Sequence, residues 1–370
     1  MKLIVQIPCH NEESTLPQTV ADIPREIHGV DAVEILVIDD GCTDRTVAVA
    51  HDLGVTHVIR SKTRMGLANT FRTGLDACLQ LGADIIVNTD GDNQYAGRDI
   101  PKLIAPILDG KADIVVGNRE TSKIEHFSWT KKRLQALGSF AVRKASGVDV
   151  PDTVSGFRAI SRDAALKINI VSPFSYTIEM LVQAGKKRMA VASVPVSTNP
   201  KTRESRLFKS LPVFLERSLT TLARMYTMYR PLKVFVIIGL AISLVGIAPI
   251  LRFLTYYFSG DGAGHIQSLI IGGVLMVIGL VSFLVGLVAD LISHNRQLIE
   301  MTLEKVRRLE LAQGAMTASS STATRDVRAM LDQVEMLAKE SVVNDPQDAP
   351  SSPDTATLNR KRKVKSVRAR

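Results

Sequence analysis

The chain has 370 residues, 45% of them hydrophobic, and a formal net charge of +9. That length holds one large domain or two average ones. Cys9, Cys42 and Cys78 are too scattered for a zinc site or a disulfide framework and read as reduced thiols of a cytosolic protein. A basic balance fits nucleic acid, anionic lipid or phosphate substrates. No nucleic-acid module is present and much of the excess charge flanks apolar segments, which favours lipid.

The chain enters an apolar strand over 2–8 at once, with no signal peptide expected. The polar turn Cys9-His10-Asn11-Glu12-Glu13-Ser14 and a helix from Thr15 follow. A strand over 33–38 ends in Asp39-Asp40-Gly41-Cys42-Thr43-Asp44, where Thr43 or Asp44 is placed to cap a helix over 45–53. A third strand over 57–61 and the turn Thr63-Arg64-Met65-Gly66 lead to a helix through Leu81. The fourth strand, Ile85-Ile86-Val87-Asn88, runs into Thr89-Asp90-Gly91-Asp92-Asn93-Gln94. Strands alternating with helices, each polar cluster at a strand's carboxyl end, predict a mostly parallel α/β sheet that binds its ligand along that edge. No glycine-rich dinucleotide or P-loop pattern is present.

The acidic run carries the chemistry. At a strand end Asp90 and Asp92 can turn toward one point, with Gly91 expected to let the backbone bend between them. Two hard oxygen ligands beside an open cleft suit Mg²⁺ or Mn²⁺, which share their remaining positions with substrate phosphates. The competing reading of such residues is a solvated turn. Further along come a helix over 100–108, a strand over 113–116, the basic stretch Lys131-Lys132-Arg133, a strand over 155–160, a helix over 174–184 and a strand over 190–196. The loop Asn199-Pro200-Lys201-Thr202-Arg203-Glu204-Ser205-Arg206 closes a first domain over 1–208.

A juxtamembrane helix is expected over 209–231, with Phe214, Leu215, Leu219, Leu222, Tyr226 and Tyr229 on one face and Glu216, Arg217 and Arg224 on the other. Packing against the first domain is its alternative. Uncharged apolar runs over 234–251 and 266–289 are each long enough to span a bilayer. They define a hairpin over 232–292, with helices over about 234–257 and 266–289. Arg224, Arg230 and Lys233 before it, and Arg296, Lys305, Arg307 and Arg308 after it, place the first domain and both termini in the cytoplasm. A helical tail over 293–340, built from helices over 296–311 and 326–340 with a Ser/Thr/Ala linker between them, precedes a basic disordered tail over 341–370.

Four motifs in order, Pro8-Cys9-His10-Asn11-Glu12, Asp39-Asp40-Gly41-Cys42-Thr43-Asp44, Asp90-Gly91-Asp92-Asn93-Gln94 and Ser155-Gly156-Phe157-Arg158, resemble those of family 2 glycosyltransferases. The nearest branch resembles the dolichol- or polyprenyl-phosphate sugar (mannose or glucose) synthases. The resemblance implies a GT-A-like sheet flanked by helices, followed by an interfacial helix and a two-helix transmembrane hairpin. By that likeness Pro8, His10, Glu12, Asp39, Asp40 and Gly66 belong to the donor pocket, with His10 standing where Tyr is common. Asp90, Asp92 and Gln94 match the DxD-type metal motif, binding magnesium or manganese and the donor diphosphate. Arg203 and Arg206 resemble the basic loop over the donor phosphates, although Glu204-Ser205-Arg206 replaces the usual Gly-Ser-Lys-like ending. Arg119 and Arg133 match positions expected to hold the acceptor phosphate, a task suited to guanidinium forks.

A metal-dependent, inverting transfer of one sugar from a nucleotide sugar to a polyprenyl phosphate (dolichyl or undecaprenyl) is the activity this resemblance implies. Catalysis then rests on positioning and leaving-group stabilisation. An anionic phosphate needs little base, and Glu179 on the helix over 174–184 is the candidate if one is needed; a plain helix-surface carboxylate is the alternative. The Gln-x-x-Arg-Trp signature of processive synthases is absent, in keeping with single transfer. Transfer to another lipid or a glycan is the second reading, and a nucleotide-binding membrane scaffold the third. Membrane lipid is the expected partner, nucleic acid is not, and homo-oligomerisation is left open.

Overall fold

A computed structural model describes residues 1–120, 129–172, 176–200, 220–221, 223–260 and 263–343, with 129–137 and 315–343 as backbone. Strand β1 (Lys2–Cys9) is followed by helix α1 (Leu16–Ala21), β2 (Ala32–Asp39), α2 (Thr46–Asp52), β3 (His57–Arg60), α3 (Leu67–Gln80), β4 (Ile85–Asn88) and α4 (Ile100–Leu108). Then come β5 (Ile114–Asn118), α5 (Trp129–Ser146), β6 (Arg158–Ser161), α6 (Arg162–Lys167), α7 (Tyr176–Lys186) and β7 (Val191–Pro195). Helices α5 and α6 were not anticipated from the sequence. The strand expected over 155–160 begins only at Arg158, so Ser155, Gly156 and Phe157 form its approach.

The seven strands lie in the order β3-β2-β1-β4-β6-β5-β7. All neighbours are parallel except β6, which runs antiparallel to both β4 and β5. Alternate residues of one strand enter opposite cores, because successive side chains of a strand point to opposite faces. Leu3, Val5 and Ile7 pack with Ile35, Val37, Ile85, Val87 and Leu103, whereas Ile4 and Ile86 pack with Leu36, Phe71, Leu75 and Met180. The product is a sheet sandwiched between helices.

This topology assembles the functional edge. Parallel pairing puts Cys9 opposite Asp39 and Gln6 opposite Asn88, so β1, β2 and β4 end together. Antiparallel β6 has its start at the same edge, with Arg158 opposite Asn88 and Val116. Strand β7 pairs in parallel with β5, bringing Pro195 beside Asn118 and carrying the chain on to Asn199.

Residues 201–219 and 222 of the expected basic loop and interfacial helix lie outside the described residues; 220–221 and 223–229 are helical. Helix α8 (Pro231–Phe258, 28 residues) and helix α9 (Ile266–Val343) follow. Both are long and apolar enough to cross a membrane. At 1.5 Å per residue α8 runs about 42 Å, more than the roughly 30 Å of a hydrocarbon core. Leu240, Leu244 and Val245 of α8, with Ile270, Val277 and Val281 of α9, are exposed. Small residues draw the two helices together: a Cβ at Gly239 would lie 2.7 Å from the Gly279 carbonyl, and one at Gly246 3.1 Å from that of Gly272.

The expected division of the tail is corrected. The Ser/Thr/Ala stretch is helical within α9, which runs to Val343; no proline interrupts it. Residues 344–370, the expected disordered tail, lie outside the described residues. The part of α9 just after the hairpin belongs to the first compact unit, Met1–Ala312, rather than to a separate tail. Arg307 pairs with Asp76 of α3 at 3.2 Å, Arg308 with Asp163 of α6 at 3.0 Å, and Glu300 with Lys187 at 2.9 Å.

Candidate active site

The first and second motifs build one wall. The backbone at Asn11 is left-handed, with φ of 58°, a conformation asparagine tolerates better than most residues. Its side-chain carbonyl accepts from Thr43 N at 2.8 Å, tying the two turns together. Pro8 lies in β1 opposite Ile38. Nδ1 of His10 lies 2.9 Å from the Asp40 carbonyl oxygen. Glu12 is buried, and its Oε2 accepts from the Thr15 hydroxyl at 3.0 Å.

Asp39 and Asp40 are both buried but do different work. Asp39 accepts from Cys42 N at 2.6 Å and faces Arg60 Nε at 3.4 Å. Asp40 reaches across to the start of α3, accepting from Met65 N at 2.6 Å and from Gly66 N at 3.1 Å. It is an anionic cap on that helix, a favourable place for negative charge, and it shapes the wall through the Met65–Gly66 backbone. The Cys42 thiol is pushed up to about 12 by burial and by its hydrogen bond with Asp39.

The acidic run forms the floor. Asp90 and Asp92 are both partly exposed. Gly91 does not take a positive φ; the left-handed residue of this loop is Asn93, at 55°. Glycine serves close approach instead, because a Cβ at Gly91 would sit 3.0 Å from Cys9 Sγ and 3.3 Å from Glu12 Cγ. The chain does turn at Gly91, as expected, and glycine is needed there for room rather than for a left-handed backbone. The Gly91 carbonyl accepts from the Thr15 and Thr19 hydroxyls at 2.8 and 3.2 Å, fastening floor to wall. Gln94 meets Asp92 as a donor, through its backbone N at 3.2 Å and Nε2 at 3.0 Å. It therefore orients this carboxylate in the present geometry.

Among the described residues no group of three or more His, Cys, Asp or Glu side chains forms a metal cage. The two neighbouring carboxylates fit a hard cation that takes one or two protein ligands and completes its shell with phosphate and water, as Mg²⁺ does.

Several supports of this floor escaped the sequence reading. Tyr95 accepts from Gly156 N at 2.9 Å, and Asn88 donates to the Gly156 carbonyl at 2.9 Å. Asn199 donates to the Asn93 carbonyl at 3.1 Å, and its N–H to the Gln94 carbonyl at 3.0 Å, clamping the acidic loop from β7. Tyr95 follows the acidic run directly, which was an available signal; Asn199 is 105 positions beyond Gln94 and became visible only through strand pairing.

The arginines divide. Arg119 leaves β5 at the site edge, grips Asp152 through Nε at 2.7 Å and Nη2 at 3.0 Å, and lies 5.8 Å from the Tyr95 ring centre. Burial lowers the pKa of its guanidinium, but Tyr95, then Asp152 and Asp90, together hold it well above its ordinary value. Arg133 is on α5, its side chain outside those described, and Arg203 and Arg206 are outside the described residues altogether. Arg158, quoted in a motif without a role, is the largest fully buried side chain among the described residues.

Glu179 is fully buried, which excludes a helix-surface carboxylate. Its oxygens accept from the backbone N–H of Val171 and Ser172 at 2.8 to 3.2 Å and from Gln183 at 3.3 Å. Burial raises its pKa, and these hydrogen bonds oppose the rise. In this geometry Glu179 holds the loop before α7, its lone pairs committed to that task.

Residues 4–168 match the model of Glycosyl transferase family 2. The polyprenol monophosphomannose synthase of Mycolicibacterium smegmatis is 28% identical over 53% of this chain and 77% of its own length. The UDP-N-acetylglucosamine–dolichyl-phosphate N-acetylglucosaminyltransferase of Methanococcus voltae is 29% identical over 52% and 83%. An uncharacterized glycosyltransferase of Mycobacterium tuberculosis is 31% identical over 54% of this chain and 85% of that one. Among solved structures, a glucosyl-3-phosphoglycerate synthase from Mycobacterium tuberculosis aligns at a TM-score of 0.49 and 20% identity, covering 61% of this chain and 78% of that one. The motif order, the family model and the 31% identical relative agree: this chain is a glycosyltransferase and belongs to glycosyl transferase family 2.

Proposed function

We propose that this glycosyltransferase moves a single sugar from a nucleotide sugar to a polyprenyl phosphate at a membrane surface, with inversion at the anomeric carbon. One observation carries the reading. The Asp90–Asp92 floor and Arg119 sit on the same sheet edge of a chain that also has two helices long and apolar enough to span a bilayer. A soluble phosphorylated donor and a lipid-borne phosphate acceptor fit that combination, and the names of the Mycolicibacterium and Methanococcus relatives support it. The basic residues flanking the hairpin favour a cytoplasmic active domain and cytoplasmic termini.

Asp90 and Asp92 would hold a divalent cation, magnesium or manganese, which neutralises charge on the departing nucleoside diphosphate. Pro8, His10, Glu12 and Asp39 line the donor wall, while Asp40 and Gly66 set its shape. Arg119, fixed by Asp152 through two bonds, keeps donor hydrogens for an acceptor phosphate, with Arg133 as its expected companion. The phosphate attacks as an anion, so Glu179 has no proton to remove. Arg203 and Arg206 remain the expected closing loop over the donor phosphates.

The test is a nucleotide-sugar panel with full-length protein in detergent, reading which nucleoside diphosphate is released when polyprenyl phosphate is added. Wild type should turn over one donor only with the phosphorylated lipid, and Asp92→Ala should lose turnover. Full transfer by Asp92→Ala refutes the metal role, and product formed on an unphosphorylated lipid moves the acceptor to the second class.

A further inference from the structure

The Asp90 carboxylate rests against the backbone of Gly156, a residue 66 positions away. A Cβ at Gly156 would stand 3.1 and 3.2 Å from the two Asp90 oxygens and 3.0 Å from the Tyr176 hydroxyl, tighter than ordinary contact. Gly156 does not take a positive φ, so backbone conformation does not call for glycine here. The missing side chain is what the carboxylate needs.

The seat beneath Gly156 is a buried polar chain. Its N–H donates to the Tyr95 hydroxyl at 2.9 Å and its carbonyl accepts from Asn88 Nδ2 at 2.9 Å. The same Asn88 amide donates to the Tyr176 hydroxyl at 3.1 Å, while its carbonyl accepts from Gln6 at 2.9 Å. Stacking fixes both phenols, Tyr95 on Phe157 at 5.2 Å and Tyr176 on Phe71 at 4.0 Å. Gln6, Asn88, Tyr95 and Tyr176 are all buried, and a fully satisfied buried network specifies one geometry.

Building on the metal-dependent reading above, we infer that Gly156 is a positioning residue for Asp90, and that the Tyr95–Asn88–Tyr176 network holds Gly156 so that this carboxylate faces the cation. Groups that orient metal ligands typically change affinity about 10- to 100-fold when altered.

Full-length protein in detergent is titrated with Mn²⁺ alone, followed by the paramagnetic signal of free Mn²⁺, and the Mn²⁺ dependence of transfer is measured alongside. Gly156→Ala should weaken Mn²⁺ binding about tenfold or more and raise the Mn²⁺ concentration for half-maximal rate, while kcat at saturating Mn²⁺ is largely restored. Tyr95→Phe keeps the ring and removes the acceptor; it should weaken Mn²⁺ binding in the same direction and serves where Gly156→Ala does not fold. Asp90→Asn separates the two layers of inference. If it abolishes Mn²⁺ binding while Gly156→Ala and Tyr95→Phe bind like wild type, the positioning role is refuted alone. If Asp90→Asn binds Mn²⁺ like wild type, the metal reading falls with it.

Discussion

Arg158 is a buried cation held by backbone rather than by a hydrogen-bonded carboxylate. Its Nε donates to the Ser155 carbonyl, Nη1 to that of Thr177 and Nη2 to that of Thr153, each at 2.8 Å. Burial pushes its pKa down to about 10, with Tyr176 and Asp152 opposing, so the group stays protonated at neutral pH. Charge-assisted hydrogen bonds contribute about 1.5–3 kcal/mol each, while desolvating the cation costs several kcal/mol. The sum of the three is therefore not the effect of losing them. Arg158→Met strands three carbonyls at about 1–3 kcal/mol apiece, less what the lost cation no longer costs in desolvation, and about 3–5 kcal/mol is expected in all. For a domain of this size that is a melting-temperature drop of roughly 6–20 °C. Arg158→Lys should fall between, because one ammonium cannot span three carbonyls that a planar fork reaches together. Thermal unfolding of full-length protein in detergent, followed by intrinsic fluorescence, reads the effect. Arg158→Met melting within about 2 °C of wild type, less than one kcal/mol would move it, refutes the claim that this guanidinium holds the turn before Gly156.

Asp40→Asn keeps one acceptor oxygen for two backbone donors; about 1–2 kcal/mol of stability and a raised donor KM with nearly unchanged kcat are expected in steady-state kinetics. Cys42, whose thiol is pushed up to about 12 by burial, holds about a thousandfold less thiolate at pH 8 than an ordinary thiol; the stronger nucleophilicity of that thiolate offsets part of this, so alkylation by iodoacetamide should be slowed on the order of tenfold to a hundredfold, as mass spectrometry of the labelled peptide will show. Burial would raise Glu34, Asp44 and Asp99, but hydrogen bonds win and hold each below its ordinary value: Lys2 and His57 on Glu34, Thr46 on Asp44, Lys102 and Ser197 on Asp99. A depressed folded-state pKa stabilises above the unfolded value, and that stability disappears as pH falls through the folded one. Melting temperature should therefore fall below the ordinary carboxylate range, and Asp99→Asn should flatten part of the fall; an identical acid profile in that variant refutes its contribution.

Local pattern was enough for most elements before the acidic run. The apolar runs behind β1, β2 and β4, the polar turns at their ends and the apolar stretches of α8 and α9 are written in neighbouring residues, so a reader of the chain finds them. Asp39, Asp40, Asp90 and Asp92 were legible for the same reason, as carboxylates at strand ends. Their division of labour was not. Whether Asp40 faces a ligand or caps α3 depends on where Met65 and Gly66 arrive, and whether Glu179 is a surface carboxylate or a buried clamp depends on the path of Val171 and Ser172.

What the chain settled by itself is thus the alternation of strand and helix, the acidic edge and the two apolar helices, since each follows from the spacing of neighbouring side chains. What tertiary structure alone decided is which distant residues share that edge. The antiparallel entry of β6 sets Gly156 under Asp90 and Arg158 behind it, and the pairing of β7 with β5 brings Asn199 to the acidic loop. Strand register converts a long sequence separation into a few ångströms, and it is chosen by the packing of both sheet faces at once.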